Sequence, residues 1–162
     1  MNTLEIIVIT YNRAELLGAT LDRLAASPFS HCRITVLNNA STDHTQQVVQ
    51  YKQPLFSDLR LVNNVVNIGG DANILRAVEL ATADYLWILA DDDTYDFTDV
   101  SDVIETIEQG TADLIHVGAH TDVEWTMGRQ TATPRELVKK GYPYFRFSSF
   151  LPCNLFRREA FL

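Results

Sequence analysis

Five short apolar runs punctuate the chain, at residues 4–9, 33–37, 59–62, 85–89 and 114–117. They read as continuous apolar stretches rather than an in-and-out alternation, which suits strands covered on both faces, as in a mostly parallel sheet. Helical spacing fills the gaps. Leu17, Leu21 and Leu24 share one face of a helix that Pro28 ends. Ser41, Thr42 and Asp43 offer N-caps for a second helix through Val48 and Val49. A third, over about 71–81, places Ala72, Leu75, Val78 and Ala81 on one stripe. Val100, Val103, Ile104 and Ile107 form the cleanest stripe, with Gly110 in the C′ position. The order β-α-β-α-β-α-β-α-β predicts an α/β, doubly wound sheet with helices on both faces. Beyond about His120 the pattern weakens to a short helix over 133–140, with Pro134 at N1, and an aromatic-rich stretch over 142–150.

With 162 residues, 46% of them hydrophobic, the chain can bury one core, so residues 1–162 are expected to form a single domain. A net charge of −8 excludes the basic footprint that nucleic-acid binding needs. It also means that an anionic ligand would require a recruited cation or a local concentration of Arg and Lys. Cys32 and Cys153 lie far apart in apolar surroundings and are expected to be buried thiols rather than a disulfide. No basic leader opens the chain, and no stretch approaches the ~20 apolar residues of a transmembrane segment. The expectation is a cytoplasmic protein, with peripheral attachment to a membrane left open.

In an open parallel sheet, ligands sit beyond the carboxyl ends of the strands. The polar segments following the strands are therefore expected to converge on one rim. They are Thr10-Tyr11-Asn12-Arg13, then Asn38-Asn39-Ala40-Ser41-Thr42-Asp43, then Asn63-Asn64 with Asn67-Ile68-Gly69-Gly70, then Asp91-Asp92-Asp93. Three adjacent carboxylates repel one another unless a cation or solvent compensates. Hard oxygen ligands suit Mg2+ or Mn2+, ions that take one or two protein carboxylates together with substrate phosphates. Taken singly, each segment reads equally well as a turn or a helix cap: Gly69-Gly70 is not a G-x-G-x-x-G fingerprint, and Asn38 and Asn39 suit Asx turns. Their order and spacing carry the argument.

Together these segments resemble family-2 glycosyltransferases of the GT-A fold. Residues 7–13, Ile-Val-Ile-Thr-Tyr-Asn-Arg, are similar to that family's first strand and turn. Residues 36–43 are similar to its second strand and the motif after it, where Asp usually stands in place of Asn38. Asn67 to Gly70, Arg76 and residues 81–85 resemble the approach to the fourth strand, and Asp91-Asp92-Asp93 stands at the Asp-x-Asp position. The likeness is convincing over residues 4–97 and looser beyond. It implies a nucleoside-diphosphate sugar donor, an inverting transfer, a Mn2+ or Mg2+ cofactor, and a saccharide, lipid or protein acceptor. It also implies that residues 1–119 form the nucleotide-sugar-binding half and 120–162 the start of an acceptor-side portion.

By the same resemblance Thr10, Tyr11, Arg13, Asn67, Gly70 and Arg76 belong to the donor site, and Asn38 takes the place of the base-contacting aspartate. Asp91 stands near the ribose and Asp93 at the metal, with Asp92 a second candidate for donor or metal. No counterpart of the family's catalytic base precedes Leu162. Glu159 lies in a segment that comes before that motif, so the base is expected beyond the chain's end. The aromatics Trp125, Tyr142, Tyr144, Phe145, Phe147 and Phe150 could stack on an acceptor or pack the sheet edge, and His116 and His120 read as core or surface residues rather than ligands. A haloacid-dehalogenase phosphatase motif fits the aspartates superficially, but Tyr95 occupies its Thr/Val position and the motif would follow the first strand. The remaining rival is a non-catalytic nucleotide- or partner-binding domain of the same fold.

Overall fold

The computed structural model describes residues 3–117, 132–139 and 151–160. The five expected strands form as β1 (Leu4–Thr10), β2 (Arg33–Asn38), β3 (Asp58–Asn63), β4 (Tyr85–Ala90) and β5 (Leu114–His116). A sixth, β6 (Asn154–Arg157), enters between β4 and β5, giving the order β3-β2-β1-β4-β6-β5. β1 to β4 are parallel, and β6 runs antiparallel to both neighbours. The sheet is thus mostly parallel, as expected, but its fifth strand reaches the fourth only through β6. A four-residue strand with Asn154 and Arg157 at its ends has too little pattern to stand out from the sequence. What commits it is tertiary: Leu155 is fully buried opposite Trp87.

Alternation along β1 sorts the core. Ile6 and Val8 face one cluster with Leu17, Leu21, Leu24, Phe29, Val36 and Trp87, whereas Ile7 faces another with Leu37, Ala77, Ala81 and Ile88. Helices α1 (Ala14–Ala25), α2 (Thr45–Lys52) and α4 (Ser101–Gln109) contribute to the first cluster, and α3 (Gly70–Leu80) contributes to the second. Both faces are therefore covered, which explains why the strands read as continuous apolar runs. Phe29, Trp87 and Phe97 meet edge to face with centroids 5.4–5.8 Å apart, the arrangement ring quadrupoles favour.

Helix boundaries follow local chemistry. Gly110 closes α4 at φ 62°, the left-handed position glycine tolerates. α1 stops at Ala25, and Pro28 opens a 3-10 turn whose Phe29 amide is capped by Ser27. A short helix, α5 (Pro134–Lys139), begins with a reciprocal pair of bonds between Thr133 and Glu136. The face of α3 departs in part from expectation. Of the expected stripe, Val78 and Ala81 pack into the second cluster, whereas Ala72 is exposed and Leu75 is 66% exposed; Asn73 and Ala77 are the buried residues of the helix itself. Asn73 accepts a hydrogen bond from Asn64, and the face turned inward carries Asn73, Ile74, Ala77 and Val78. Both cysteines are free; Cys153 is buried and Cys32 only half-buried, and burial pushes both thiols up. Among the described residues no helix is long and apolar enough to cross a membrane. His120 and the aromatics Trp125, Tyr142, Tyr144, Phe145, Phe147 and Phe150 lie outside the described residues.

Candidate functional site

The parallel register lines up the strand ends. Thr10 pairs with Asn38 and Asn38 with Asn63, while Ile9 pairs with Ala90, so Asp91 follows on the same rim. Backbone bonds carry the pairing past the strands, from Asn39 N–H to the Thr10 carbonyl and from Asn64 N–H to the Asn38 carbonyl, each 2.9 Å.

Beyond the rim, the loops after β1 and β2 are laced together. Asn12, at φ 51°, accepts the Thr42 amide on its side-chain oxygen at 2.7 Å, and its own amide donates to Ser41 Oγ at 2.9 Å. Asp43 accepts the Ala14 amide with one oxygen, and the Thr45 amide and hydroxyl with the other. One carboxylate thus serves the first turns of both α1 and α2. The expectation of a cap from residues 41–43 holds in this displaced form: α2 starts at Thr45, and Asp43 binds its first amide from two residues upstream. Burial would raise the Asp43 pKa, but these hydrogen bonds outweigh it and hold the carboxyl below its ordinary value.

The aspartates occupy three different environments. Asp91 is 3% exposed; its Oδ1 accepts from Arg13 Nη1 at 3.1 Å, while its Oδ2 is buried without a hydrogen-bond partner. Burial pushes the Asp91 carboxyl up, and the nearby Thr10 hydroxyl and Arg13 only partly offset this. Thr10 lies close enough to influence Asp91 electrostatically, yet its hydroxyl makes no hydrogen bond of good geometry. Asp92 is exposed, and its Oδ2 lies 2.5 Å from the same Arg13 nitrogen. Asp93 is half-buried and pushed up by burial and by the charges of Asp92 and Asp91, with the Tyr95 hydroxyl 3.5 Å from its Oδ2. Tyr95 chiefly serves the backbone, donating to the Ala90 carbonyl at 2.9 Å and holding the turn after β4. Thr20, from α1, donates to the Asp91 carbonyl at 3.3 Å.

Of the sequence-selected residues, Thr10, Arg13, Asn38, Asp91, Asp92 and Asp93 gather at this edge, with Tyr11 43% exposed beside them. Asn38 is 1% exposed, and its carboxamide accepts the Ser41 amide and donates to Asn63 Oδ1 at 2.8 Å. A carboxylate could not make that donation, so Asn38 and Asn63 form a matched pair. Asn67 and Gly70 lie on the entry to α3, which Asn39 ties to the rim. Arg76 sits within α3, and its Nε is buried without a hydrogen-bond partner. Glu159 lies at the other end of the sheet, because the Arg158 amide bonds to the Asp84 carbonyl at the start of β4. His116 is exposed, with its ring 3.0 Å from Asn154 Oδ1. Sequence reasoning passed over Asn73 and Thr20, whose contacts join segments with no shared pattern, and gave Tyr95 no part in holding the turn after β4.

A mostly parallel α/β sheet with acidic residues at the carboxyl end of β4 and a laced β1–β2 rim is the GT-A class of architecture. Comparison with known proteins agrees. The family model for "Glycosyl transferase family 2" matches residues 5–161. The abequosyltransferase RfbV of Salmonella typhimurium is 32% identical over 112 residues, which are 65% of this chain and 32% of that protein. The uncharacterized glycosyltransferase YaiP of Escherichia coli is 29% identical over 57% of this chain and 23% of its own length. Among solved structures, Staphylococcus aureus TarS 1–349 in complex with UDP-GlcNAc superposes with a TM-score of 0.73 at 20% identity, covering 96% of this chain and 45% of that one. The mannosyltransferase PcManGT from Pyrobaculum calidifontis, in complex with GDP-Man and Mn2+, gives 0.69 at 20% identity, over 98% and 45%. This chain belongs to glycosyl transferase family 2. It spans about a third or less of the curated relatives it matches and under half of the solved ones.

Proposed function

We propose that the rim binds a nucleoside-diphosphate sugar and that the chain is the donor-binding part of a metal-dependent, inverting glycosyltransferase. The observation that carries this reading is the pairing of Arg13 with Asp91 and Asp92 at the carboxyl end of β4. A fixed cation and three carboxylates meet there, in a protein whose net charge of −8 otherwise repels a diphosphate. Family membership supports it, as do the UDP-GlcNAc and GDP-Man named for two structural neighbours.

In this reading the loops after β1 and β2 receive the nucleoside, with Thr10, Tyr11 and Asn38 nearest the base and Asp91 nearest the ribose. Asn67, Gly70 and Arg76 complete the pocket from the side of α3, and Arg13 turns from the aspartates toward the diphosphate. Among the described residues no three acidic, His or Cys side chains form a preorganised metal cage. The donor set nevertheless fits Mn2+ or Mg2+, which complete their shells with phosphate oxygens and water. Asp93, which meets no cationic side chain among the described residues, would hold the ion with help from Asp92. Such an ion supplies Lewis-acid stabilisation of the departing diphosphate. Deprotonation of the acceptor hydroxyl, of a saccharide, lipid or protein, falls to a carboxylate elsewhere. Glu159, at the opposite end of the sheet from the rim, is a poor candidate for that role.

A thermal-shift panel of nucleoside diphosphates with and without Mn2+ tests the reading, because a ligand of the native state raises its melting temperature. At least one diphosphate should stabilise the wild type in the presence of Mn2+, and Asp93→Ala should abolish the metal-dependent part. No shift with any diphosphate, or an unchanged shift in Asp93→Ala, would overturn it.

A further inference from the structure

Two asparagine pairs, Asn38-Asn39 and Asn63-Asn64, stand side by side at the ends of β2 and β3. The outer pair binds Asn38 to Asn63, as described above. The inner pair does something different. Asn39 Oδ1 accepts from the Ile68 amide at 3.0 Å and from Asn64 Nδ2 at 2.8 Å. Asn39 Nδ2 donates to Asn67 Oδ1 at 2.8 Å and to the Gly69 carbonyl at 3.3 Å. Asn67 Oδ1 also accepts the Gly69 amide at 2.8 Å. Asn39 thus uses two donors and two acceptor sites, the full capacity of a carboxamide.

The orientation of each amide follows from its backbone partner. A main-chain N–H can only donate, so the atom of Asn39 facing Ile68 must be oxygen, and so must the atom of Asn67 facing Gly69. The atom that Asn64 presents to Asn39 must then be nitrogen. Its second hydrogen goes to Asn73 Oδ1, 2.9 Å away on α3. Asn64 and Asn73 are 6% and 3% exposed, so water does not substitute for these bonds.

We propose that Asn64 is a positioning residue of the donor site: its amide fixes Asn39, and through Asn39 it sets the loop from Asn67 to Gly70 and the start of α3 against the rim. The inference rests on reading that rim as the donor site. Asparagine is required at position 64 because the position must donate twice, whereas Asn73 need only accept.

That asymmetry supplies the test. Asn64→Asp and Asn73→Asp make the same change in charge and volume nine residues apart. Exchange of the Ile68 and Gly69 amides would be followed by NMR, and affinity for the nucleoside diphosphate that most stabilises the wild type with Mn2+ by calorimetry, at about pH 8 and about pH 5.5. At the higher pH Asn64→Asp should exchange those amides, and bind, at least about tenfold less favourably than the wild type. Both defects should shrink at the lower pH, where a protonated carboxyl can donate to Asn39 again. Asn73→Asp should stay within about twofold of the wild type at both. Equal effects in the two variants, or wild-type behaviour of Asn64→Asp at the higher pH, would overturn the proposal. Should Asn64→Asp fail to fold, Asn39→Asp replaces it: this keeps both acceptor roles but removes the donors to Asn67 and Gly69, and wild-type exchange and affinity there would be equally fatal. A wild type that binds no nucleoside diphosphate would instead refute the donor-site reading itself.

Discussion

Arg13 places one guanidinium nitrogen 2.5 Å from Asp92 Oδ2 and 3.1 Å from Asp91 Oδ1. The carboxylates raise the Arg13 pKa, the Asp91 hydrogen bond most of all. Without a ligand, the arginine therefore acts as the counter-ion of Asp91 and Asp92 and competes with any divalent cation for Asp92. Arg13→Ala should tighten Mn2+ binding in the absence of nucleotide by about threefold, a modest factor because the pair is half exposed. The same change should weaken nucleoside-diphosphate binding in the presence of Mn2+. Calorimetric titrations of Mn2+ alone, and of diphosphate with Mn2+, read the two effects separately. Weakening of both would show that Arg13 does not compete for the site.

Asp43 joins the first turns of α1 and α2, and its carboxyl is held below the ordinary value. A depressed folded-state pKa contributes stability that is present above the unfolded value, near ~3.9, and lost as pH falls through the folded one. Asp43→Asn should lower the melting temperature at neutral pH by roughly 2–4 °C, corresponding to about 1 kcal/mol for a lost charged cap. The gap between variant and wild type should narrow as pH is taken from about 5 to below 3. Melting curves across that range check both sign and window; a gap independent of pH would contradict the account.

Glu5 is a carboxylate 3% exposed in the central strand, at the end of the sheet opposite the rim. It accepts the Thr35 hydroxyl at 2.9 Å and the Thr82 amide at 3.0 Å, with Arg33 4.0 Å away. Glu5→Ala strands these groups and should cost about 2–3 kcal/mol in chemical denaturation, whereas Glu5→Gln, which keeps an acceptor, should cost about 1 kcal/mol. Neither should change nucleotide affinity by more than about twofold once folded. A selective loss of binding would mean that the two ends of the sheet are coupled.

How much the sequence discloses depends on whether a feature repeats locally. The first four strands and α1 were legible because their burial on two faces leaves continuous or periodic apolar runs, and Gly110 marked the end of α4 by its conformation. The gathering of Thr10, Asn38 and Asp91 followed from parallel strand order alone. The face of α3 was half legible: Val78 and Ala81 pack inward, but Asn73, which answers to Asn64 rather than to hydrophobicity, is buried while Ala72 and Leu75 are exposed. β6 was missed because its stability comes from partners far along the chain. Leu155 is the direct check on that strand. Leu155→Ala should destabilise the protein by about 2–5 kcal/mol, measured by chemical denaturation, if residues 154–157 belong to the main core, and by well under 1 kcal/mol if they do not.

In the proposed function the carboxyl end of β4, beside the laced β1 and β2 loops, receives a metal-bound nucleoside diphosphate. Anomalous diffraction from crystals grown with Mn2+ and the diphosphate that gives the largest thermal shift tests this most directly. The account predicts a manganese peak within coordinating distance, about 2.2 Å, of Asp93 or Asp92, with the nucleoside lying along Thr10 and Asn38 and Arg13 turned toward the phosphates. A nucleotide bound away from this rim, or manganese bound without contact to either aspartate, would contradict it.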